Sequence, residues 1–179
     1  MEEVFLKGQL KDVRLFKINK FGDERGAFWE SYKKTIFPIN SELFQDNFAT
    51  SQINVLRGLH FQTPPYAQGK FVQVIQGKVI DAIVDLRKSS PDYGKNFCIE
   101  LSSENNLAMW VPEGFAHGYS TLENNTIFHY KCSNIYSQKN EGGLMWNDPH
   151  FNIDWKISNP ILSEKDKMNE SFRTFVSPF

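Results

Sequence analysis

The stretch KFVQVIQGKVIDAIVDLR, residues 70–87, decides the fold. It reads as a strand, a turn at Gly77 and a second strand, each run being rich in Val and Ile. Successive side chains on a strand point to opposite faces. In the second run that sets Ile80, Ala82, Val84 and Leu86 on one face and Asp81, Ile83 and Asp85 on the other. Two carboxylates make the second face polar, so it faces solvent or lines the cavity of a barrel.

Outward from this hairpin the same grammar continues. NVLRGLHF (54–61), NFCIELS (96–102), LAMWVP (107–112) and TIFHYKCSNIY (126–136) are strand-like. Turn signals recur between such runs, at Phe21-Gly22-Asp23, Thr63-Pro64-Pro65, residues 89–94, Pro112-Glu113-Gly114 and Glu141-Gly142-Gly143. Short strands at this spacing predict an all-β sandwich or barrel. In residues 126–132, Phe128, Tyr130 and Cys132 share a face opposite Ile127, His129 and Lys131. Helix is scarce. SYKKTIFP (31–38) and LSEKDKMN (162–169) are the candidates, with Ser163 as an N-cap of the second. No repeat, linker or low-complexity tract divides the chain, so residues 1–179 are expected to form one domain.

Composition narrows the function. Hydrophobic residues make up 40% and charged residues 23%, the balance of a globular protein. The 16 phenylalanines suit a β-rich core or a stacking pocket. A net charge of −1 argues against a nucleic-acid partner, yet a small anion needs only a few placed cations. No apolar run approaches the roughly 20 residues of a membrane span, and MEEVFLKGQL lacks the apolar region of a signal peptide. Cys98 and Cys132 read as two free thiols, so a cytoplasmic protein with no membrane partner is expected. Neither G-x-G-x-x-G nor a P-loop occurs, so no bound dinucleotide and no ATP-type chemistry are expected.

Four histidines are candidates for chemistry: His60, His117, His129 and His150. Pro112, Gly114 and His117 have the spacing of the second motif of the cupins, a jelly-roll superfamily that often binds a metal. The place of the first motif holds only His60, followed by Phe61 and Gln62. Two histidines without a third ligand make a poor metal site, so none is expected. A barrel without cofactor or metal works with its side chains, and histidine is the natural acid–base group near neutral pH. His129 and His150 read as structural residues. Arg25, Arg57 and Lys70 each read alone as surface charges, but placed together around a barrel mouth they would grip a pyrophosphate. A regular strand would put Arg57 and His60 on opposite faces. A bulge at Gly58 would bring them together.

RGLHFQ (57–62), AQGKFVQVIQGKVIDAIVDLR (67–87), SSPDYG (89–94), WVPEGFAHGYSTL (110–122), YKCSNIY (130–136), GGLMWNDP (142–149) and LSEKD (162–166) resemble the dTDP-4-dehydrorhamnose 3,5-epimerases. FGDERGAFWESY (21–32) and FQDN (44–47) resemble that family's nucleotide-binding stretches. The resemblance implies a homodimeric cupin-type jelly roll (a double-stranded β-helix) with a few short helices and no cofactor. It implies His60 as general base, Tyr130 as general acid, Asp166 as the carboxylate that orients His60, and Lys70 beside the sugar ketone and phosphates. It implies Arg25 and Arg57 at the phosphates and Phe28, Glu30, Gln45 and Asn47 around the nucleotide. His117 and Asp81 match further active-site positions. The implied reaction inverts C3 and C5 of a nucleotide-activated 4-keto-6-deoxy sugar, in deoxysugar and surface-polysaccharide biosynthesis.

The chain departs from the family pattern at Gln73, where arginine is usual, at Phe48-Ala49 in place of His-Ser, at Ile135, where an aromatic is frequent, and at Tyr119, where phenylalanine is usual. If these positions surround the substrate, its identity stays open between a dTDP-sugar and another, such as a GDP-linked 4-keto-6-deoxy heptose. A C3-only epimerase, a 3,4-ketoisomerase and a sugar-nucleotide-binding module without turnover are the alternatives.

Overall fold

The structure, a computed structural model, describes residues 1–35, 37 and 41–179. Thirteen strands are present among them: β1 (Glu2–Val4), β2 (Arg14–Lys17), β3 (Lys20–Asp23), β4 (Gly26–Trp29), β5 (Gln45–Ser51), β6 (Leu56–Gln62), β7 (Lys70–Gln76), β8 (Lys78–Asp85), β9 (Asn96–Ser102), β10 (Leu107–Val111), β11 (Phe115–Thr121), β12 (Thr126–Cys132) and β13 (Glu141–Gly143). A six-stranded sheet runs β1-β2-β10-β7-β12-β5, a five-stranded sheet runs β13-β6-β11-β8-β9, and β3 and β4 form a hairpin of their own. The expected jelly roll is therefore present. Helix is scarcer than expected. Gln138–Asn140 and Asp166–Met168 are single 3-10 turns, and no α-helix occurs among the described residues. Residues 31–35 and 37 form no helix, while Ile36 and Pro38 lie outside the described residues.

The two sheets face each other over a core that includes Leu15, Val72, Val79, Ile83, Leu101, Met109 and Phe128. Strand β8 is buried on both faces. Val79 and Ile83 look into that core, whereas Ala82, Val84 and Leu86 lie under the C-terminal segment with Phe151 and Trp155. The polar face of β8 is thus interior, and Asp81 and Asp85 are fully buried. A buried carboxylate costs several kcal/mol unless it is paired. Asp85 takes the Arg87 guanidinium, Nη2 to Oδ2 at 2.7 Å, and the Ser90 hydroxyl at 2.6 Å. Asp81 takes His117, and His117 lines the functional cavity.

One irregularity positions that cavity. Across the β6–β11 ladder His60 pairs with His117, but Arg57 pairs with Tyr119. Three steps along β6 match two along β11, so one residue is extra, which is a β-bulge. It falls at Gly58, where φ is +131°. A Cβ on Gly58 would lie 2.5 Å from the Gly118 Cα, and one on Gly118 would lie 2.7 Å from the Arg57 carbonyl oxygen. The two backbones approach because both residues are glycine. The bulge reverses the alternation, so Arg57 and His60 line the same cavity.

Candidate active site

The cavity lies between the two sheets and has a volume of ≈ 230 Å³. The five-stranded sheet contributes Arg57 and His60 from β6 and His117 and Tyr119 from β11. The six-stranded sheet contributes Lys70 from β7 and Phe128 and Tyr130 from β12. Ser163, Lys165 and Asp166 come from the C-terminal segment. A side lobe of ≈ 110 Å³ shares His60, Lys70 and Tyr130 and adds Gln45, Asn47, Tyr136 and Glu141.

His60 Nε2 meets Asp166 Oδ1 at 2.5 Å. The carboxylate accepts the Nε2 proton, which leaves Nδ1 as the ring's proton acceptor and fixes one tautomer. Asp166 is itself held. Its Oδ2 accepts the Ser163 hydroxyl at 2.8 Å, and its own N–H donates to Ser163 Oγ at 3.1 Å. Ser163 thus bonds the Asp166 N–H, but the N-cap of the 3-10 turn is Lys165, with no side-chain cap bond, so the N-cap expected at Ser163 is not the one observed. Burial pushes the Asp166 carboxyl up, but His60, Ser163 and the N–H of Gly58 in the bulge outweigh it and hold the group below its ordinary value.

A lowered carboxyl pKa is a stability statement. The contribution of Asp166 is complete above the unfolded value of 3.8 and is lost as pH falls through the lower folded value. Asp166→Asn is therefore expected to lower the thermal midpoint at neutral pH by more than it does in acid. Midpoints of both proteins measured from pH 7 down to about 2 would show the gap closing on the acid side. A constant gap would disprove this linkage.

His117 and Asp81 make a second pair, Nε2 lying 2.9 and 3.0 Å from the two carboxylate oxygens. Burial pushes Asp81 up, against His117 and Lys70. Burial pulls Lys70 down, against Cys132, Asp81 and Glu141. Tyr130 is pushed up by burial and by Cys132, against Arg57, so it stays a phenol with a proton to give. At the lobe, Glu141 takes the Tyr136 hydroxyl at 2.7 Å and an ion pair from Lys165.

Most of the residues singled out in the sequence converge here. His60, Tyr130, Asp166, Lys70, Arg57 and His117 line the cavity, and Gln45 and Asn47 line its lobe. Arg25, Phe28 and Glu30 do not. Arg25 and Phe28 stand on the β3–β4 hairpin, Arg25 being bound to Asp23 and Phe28 being 68% exposed. Glu30 follows β4 and pairs with Lys33 at 3.3 Å. Sequence reasoning missed Ser163 as a partner of Asp166, although its place three residues earlier was a signal. It also missed Tyr136, Glu141 and Lys165 as a set. They come from separate segments, and no local pattern joins them.

The departures from the family pattern are placed less uniformly than expected. Gln73 and Phe48 point away from the cavity, on the outer face of the six-stranded sheet. There the Gln73 amide donates to His129 Nδ1 at 2.9 Å, and Phe48 stacks on the His129 ring at 4.6 Å. Strand alternation separates them from Val72 and Val74, which face the core. Ile135 is 54% exposed beside Tyr136. Of these departures, Ala49 and Tyr119 line the cavity. His129 is structural as expected, with Nε2 on Asp46 at 2.5 Å, and His150 packs on the ring of Phe172. Among the described residues, no group of three or more His, Cys, Asp or Glu is arranged to hold a metal ion, and no helix is long and apolar enough to cross a membrane.

Comparison with known proteins adds the following. The family described as dTDP-4-dehydrorhamnose 3,5-epimerase matches residues 7–174. The dTDP-4-dehydrorhamnose 3,5-epimerase of Shigella flexneri is 46% identical over 171 residues, 93% of this chain and 94% of that protein. The crystal structure of the Bacillus anthracis dTDP-4-dehydrorhamnose 3,5-epimerase with TDP and PPi bound superposes with a TM-score of 0.90 at 40% identity, covering 95% of this chain and 99% of that one. That of a dTDP-6-deoxy-D-glucose-3,5-epimerase from Legionella pneumophila, in complex with dTDP-4-keto-L-rhamnose, gives 0.91 at 36% identity, covering 98% and 95%.

Proposed function

The chain belongs to the dTDP-4-dehydrorhamnose 3,5-epimerase family, and from that premise we propose that the cavity around His60 performs the inversion with this chain's own acid–base groups. The protein is an isomerase of nucleotide sugars, acting at C3 and C5 of dTDP-4-dehydro-6-deoxyglucose.

One observation carries the assignment of roles. His60 and Tyr130 stand on opposed sheets and line the same cavity, so a sugar between them meets a base on one face and an acid on the other. The ketone at C4 acidifies the hydrogens on C3 and C5. His60 Nδ1 removes one as its electron pair moves into the enolate and charge gathers on O4. Lys70, which lines the same cavity, stabilises that oxygen in the transition state when charged. Tyr130 then delivers a proton to the opposite face, and the centre is inverted. Asp166 keeps the imidazole in the tautomer that accepts at Nδ1 and stabilises the imidazolium that forms. No electron leaves the substrate, so the cycle balances by protons alone. Gln45 and Asn47 face the nucleotide and Arg57 a phosphate. His117, held by Asp81, borders the sugar.

We further propose a cytoplasmic homodimer. Arg25, Phe28 and Glu30 have nucleotide roles by resemblance but lie on or beside a hairpin that pairs with no other strand among the described residues, and Phe21 and Phe28 on it are 65% and 68% exposed. A second copy that brings this hairpin to the cavity supplies the missing contacts. Both cysteines are free, which suits a reducing compartment. Eleven of the thirteen strands build one pair of facing sheets, which supports a single domain over residues 1–179.

The test is exchange in D₂O. The protein, incubated with dTDP-4-dehydro-6-deoxyglucose, is expected to give a product carrying deuterium at both C3 and C5 by NMR. Deuterium at C3 alone would make it a single-site epimerase, and a moved carbonyl a ketoisomerase. Exchange with a GDP- or CDP-linked ketone but not the dTDP-sugar would overturn the nucleotide.

A further inference from the structure

Ala49 stands in the cavity wall where the family pattern has serine. Strand alternation puts Gln45, Asn47, Ala49 and Ser51 on the inner face of β5, so a row of polar side chains is broken by one methyl group. The polar members of the row are engaged. The Gln45 amide donates to Asn47 Oδ1 at 2.9 Å, and Ser51 Oγ accepts from Arg57 Nε and Nη2, each at 3.3 Å. Across the ladder Ala49 meets Phe128, whose neighbour on β7 is Val74. The rung that contains Ala49 therefore holds no polar side chain.

Among the described residues this is the one apolar sector of the cavity. Phe128, Gly118 and the ring of Tyr119, whose hydroxyl is buried, complete it. Every other lining residue carries a charged or hydrogen-bonding side chain. Phe128 and Gly118 are buried, so the partly covered Ala49 methyl is what the sector offers a ligand. The sector adjoins the reacting centre, because the Phe128 ring lies 6.1 Å from that of Tyr130. A 4-keto-6-deoxy hexose carries oxygen on C1, C2, C3 and C4, and its one apolar substituent is the methyl on C5. In the proposed reaction C5 stands between His60 and Tyr130, so that methyl lies one bond from a reacting carbon.

We propose that the apolar sector receives the C6 methyl, and that Ala49 selects a 6-deoxy sugar over one with a hydroxyl on C6. The proposal rests on the reading of the cavity as a dTDP-sugar site. A C6 hydroxyl placed there would leave water without gaining a partner, which is costly. Serine at position 49 would supply that partner, and alanine withholds it. A hydrophobic wall rejects an added hydroxyl by no more than about 10- to 100-fold, so the selection is graded. A 6-deoxy heptose, which carries a CH₂OH group on C6, would meet the same wall.

Two substitutions test it by calorimetry, with ligands that lack the ketone and do not react: dTDP, dTDP-6-deoxyglucose, dTDP-glucose and dTDP-xylose, which has no C6. The wild type is expected to bind dTDP-6-deoxyglucose about 10- to 100-fold more tightly than dTDP-glucose. Ala49→Ser should cut that preference about tenfold, chiefly by tightening dTDP-glucose. Ala49→Val fills the space the methyl needs. It should weaken dTDP-6-deoxyglucose about tenfold and leave dTDP-xylose and dTDP within about twofold. Valine suits a strand, and melting temperatures verify that both variants fold. Equal affinity of the wild type for the two hexoses would overturn the proposal, as would a preference that survives Ala49→Ser. If Ala49→Val weakened dTDP-xylose or dTDP as much as dTDP-6-deoxyglucose, residue 49 would border the ring or the phosphates, and the proposal would fall. A wild type that binds none of the four would instead defeat the functional reading, and the proposal with it.

Discussion

His60→Asn is expected to lower turnover by about 10²–10⁴-fold, the usual worth of a positioned acid–base group. Asparagine keeps a polar side chain of similar reach but offers no nitrogen that takes a proton near neutral pH. Binding should survive, because the cations and the nucleotide lobe are untouched: Arg57 and Lys70 stand on separate strands, and Gln45 and Asn47 on a third. The fold should survive too. The hydrogen-bond partner that His60 leaves is Asp166, and Asp166 keeps the Ser163 hydroxyl. Loss of one bond to a buried carboxylate costs about 1–3 kcal/mol. The predicted signature is therefore normal dTDP binding, a modest drop in melting temperature and almost no deuterium uptake at either carbon. Exchange at the wild-type rate would remove His60 from the role of base.

Gly58→Ala is the second large effect, and it acts through the backbone. At φ +131° an L side chain is strained, by roughly 1–3 kcal/mol. The added Cβ would also stand 2.5 Å from the Gly118 Cα and 3.0 Å from the His117 carbonyl oxygen, both backbone atoms that cannot swing aside. Strands β6 and β11 must part there. Together these are expected to cost about 3 kcal/mol or more, which lowers the melting temperature by roughly 6–12 °C in a chain of this size. Gly26 provides the control. Its φ is +130°, yet a Cβ there meets nothing within 4 Å, so Gly26→Ala carries the strain without the clash. The difference between the two variants, read by thermal unfolding, isolates the close approach. The folded fraction of Gly58→Ala should also turn over poorly, since parting the strands shifts His60 and Arg57 together. Equal melting temperatures for the two variants would show that the approach of Gly58 to Gly118 is not needed.

The two effects show where sequence and fold divide the work. The residue types in RGLHFQ, in YKCSNIY and in LSEKD carry a base, an acid and a carboxylate, and alternation in KVIDAIVDL marks a polar face. The strands over residues 70–85 and 96–102 were legible because their apolar runs end at turn residues. Strands β1 to β4 were not, being three or four residues long and mostly uncovered on one side. The helix expected over residues 162–169 shrank to one turn, because Asp166 is tied to His60, 106 residues away, and follows that partner instead of a helical repeat.

What the sequence by itself determined was the kind of fold and the chemistry on offer: alternation and turn residues make facing sheets, and His60, Tyr130, Lys70 and Asp166 supply proton transfer and charge. Only the tertiary structure decided which groups meet. It put the polar face of β8 inside, set Gln73 and Phe48 outside, left Arg25 and Phe28 on a hairpin away from the cavity, and set Tyr119 opposite Arg57 in the ladder. The physical reason is register. Pairing across a sheet is a long-range choice, and one extra residue at Gly58 moves every later side chain to the other face.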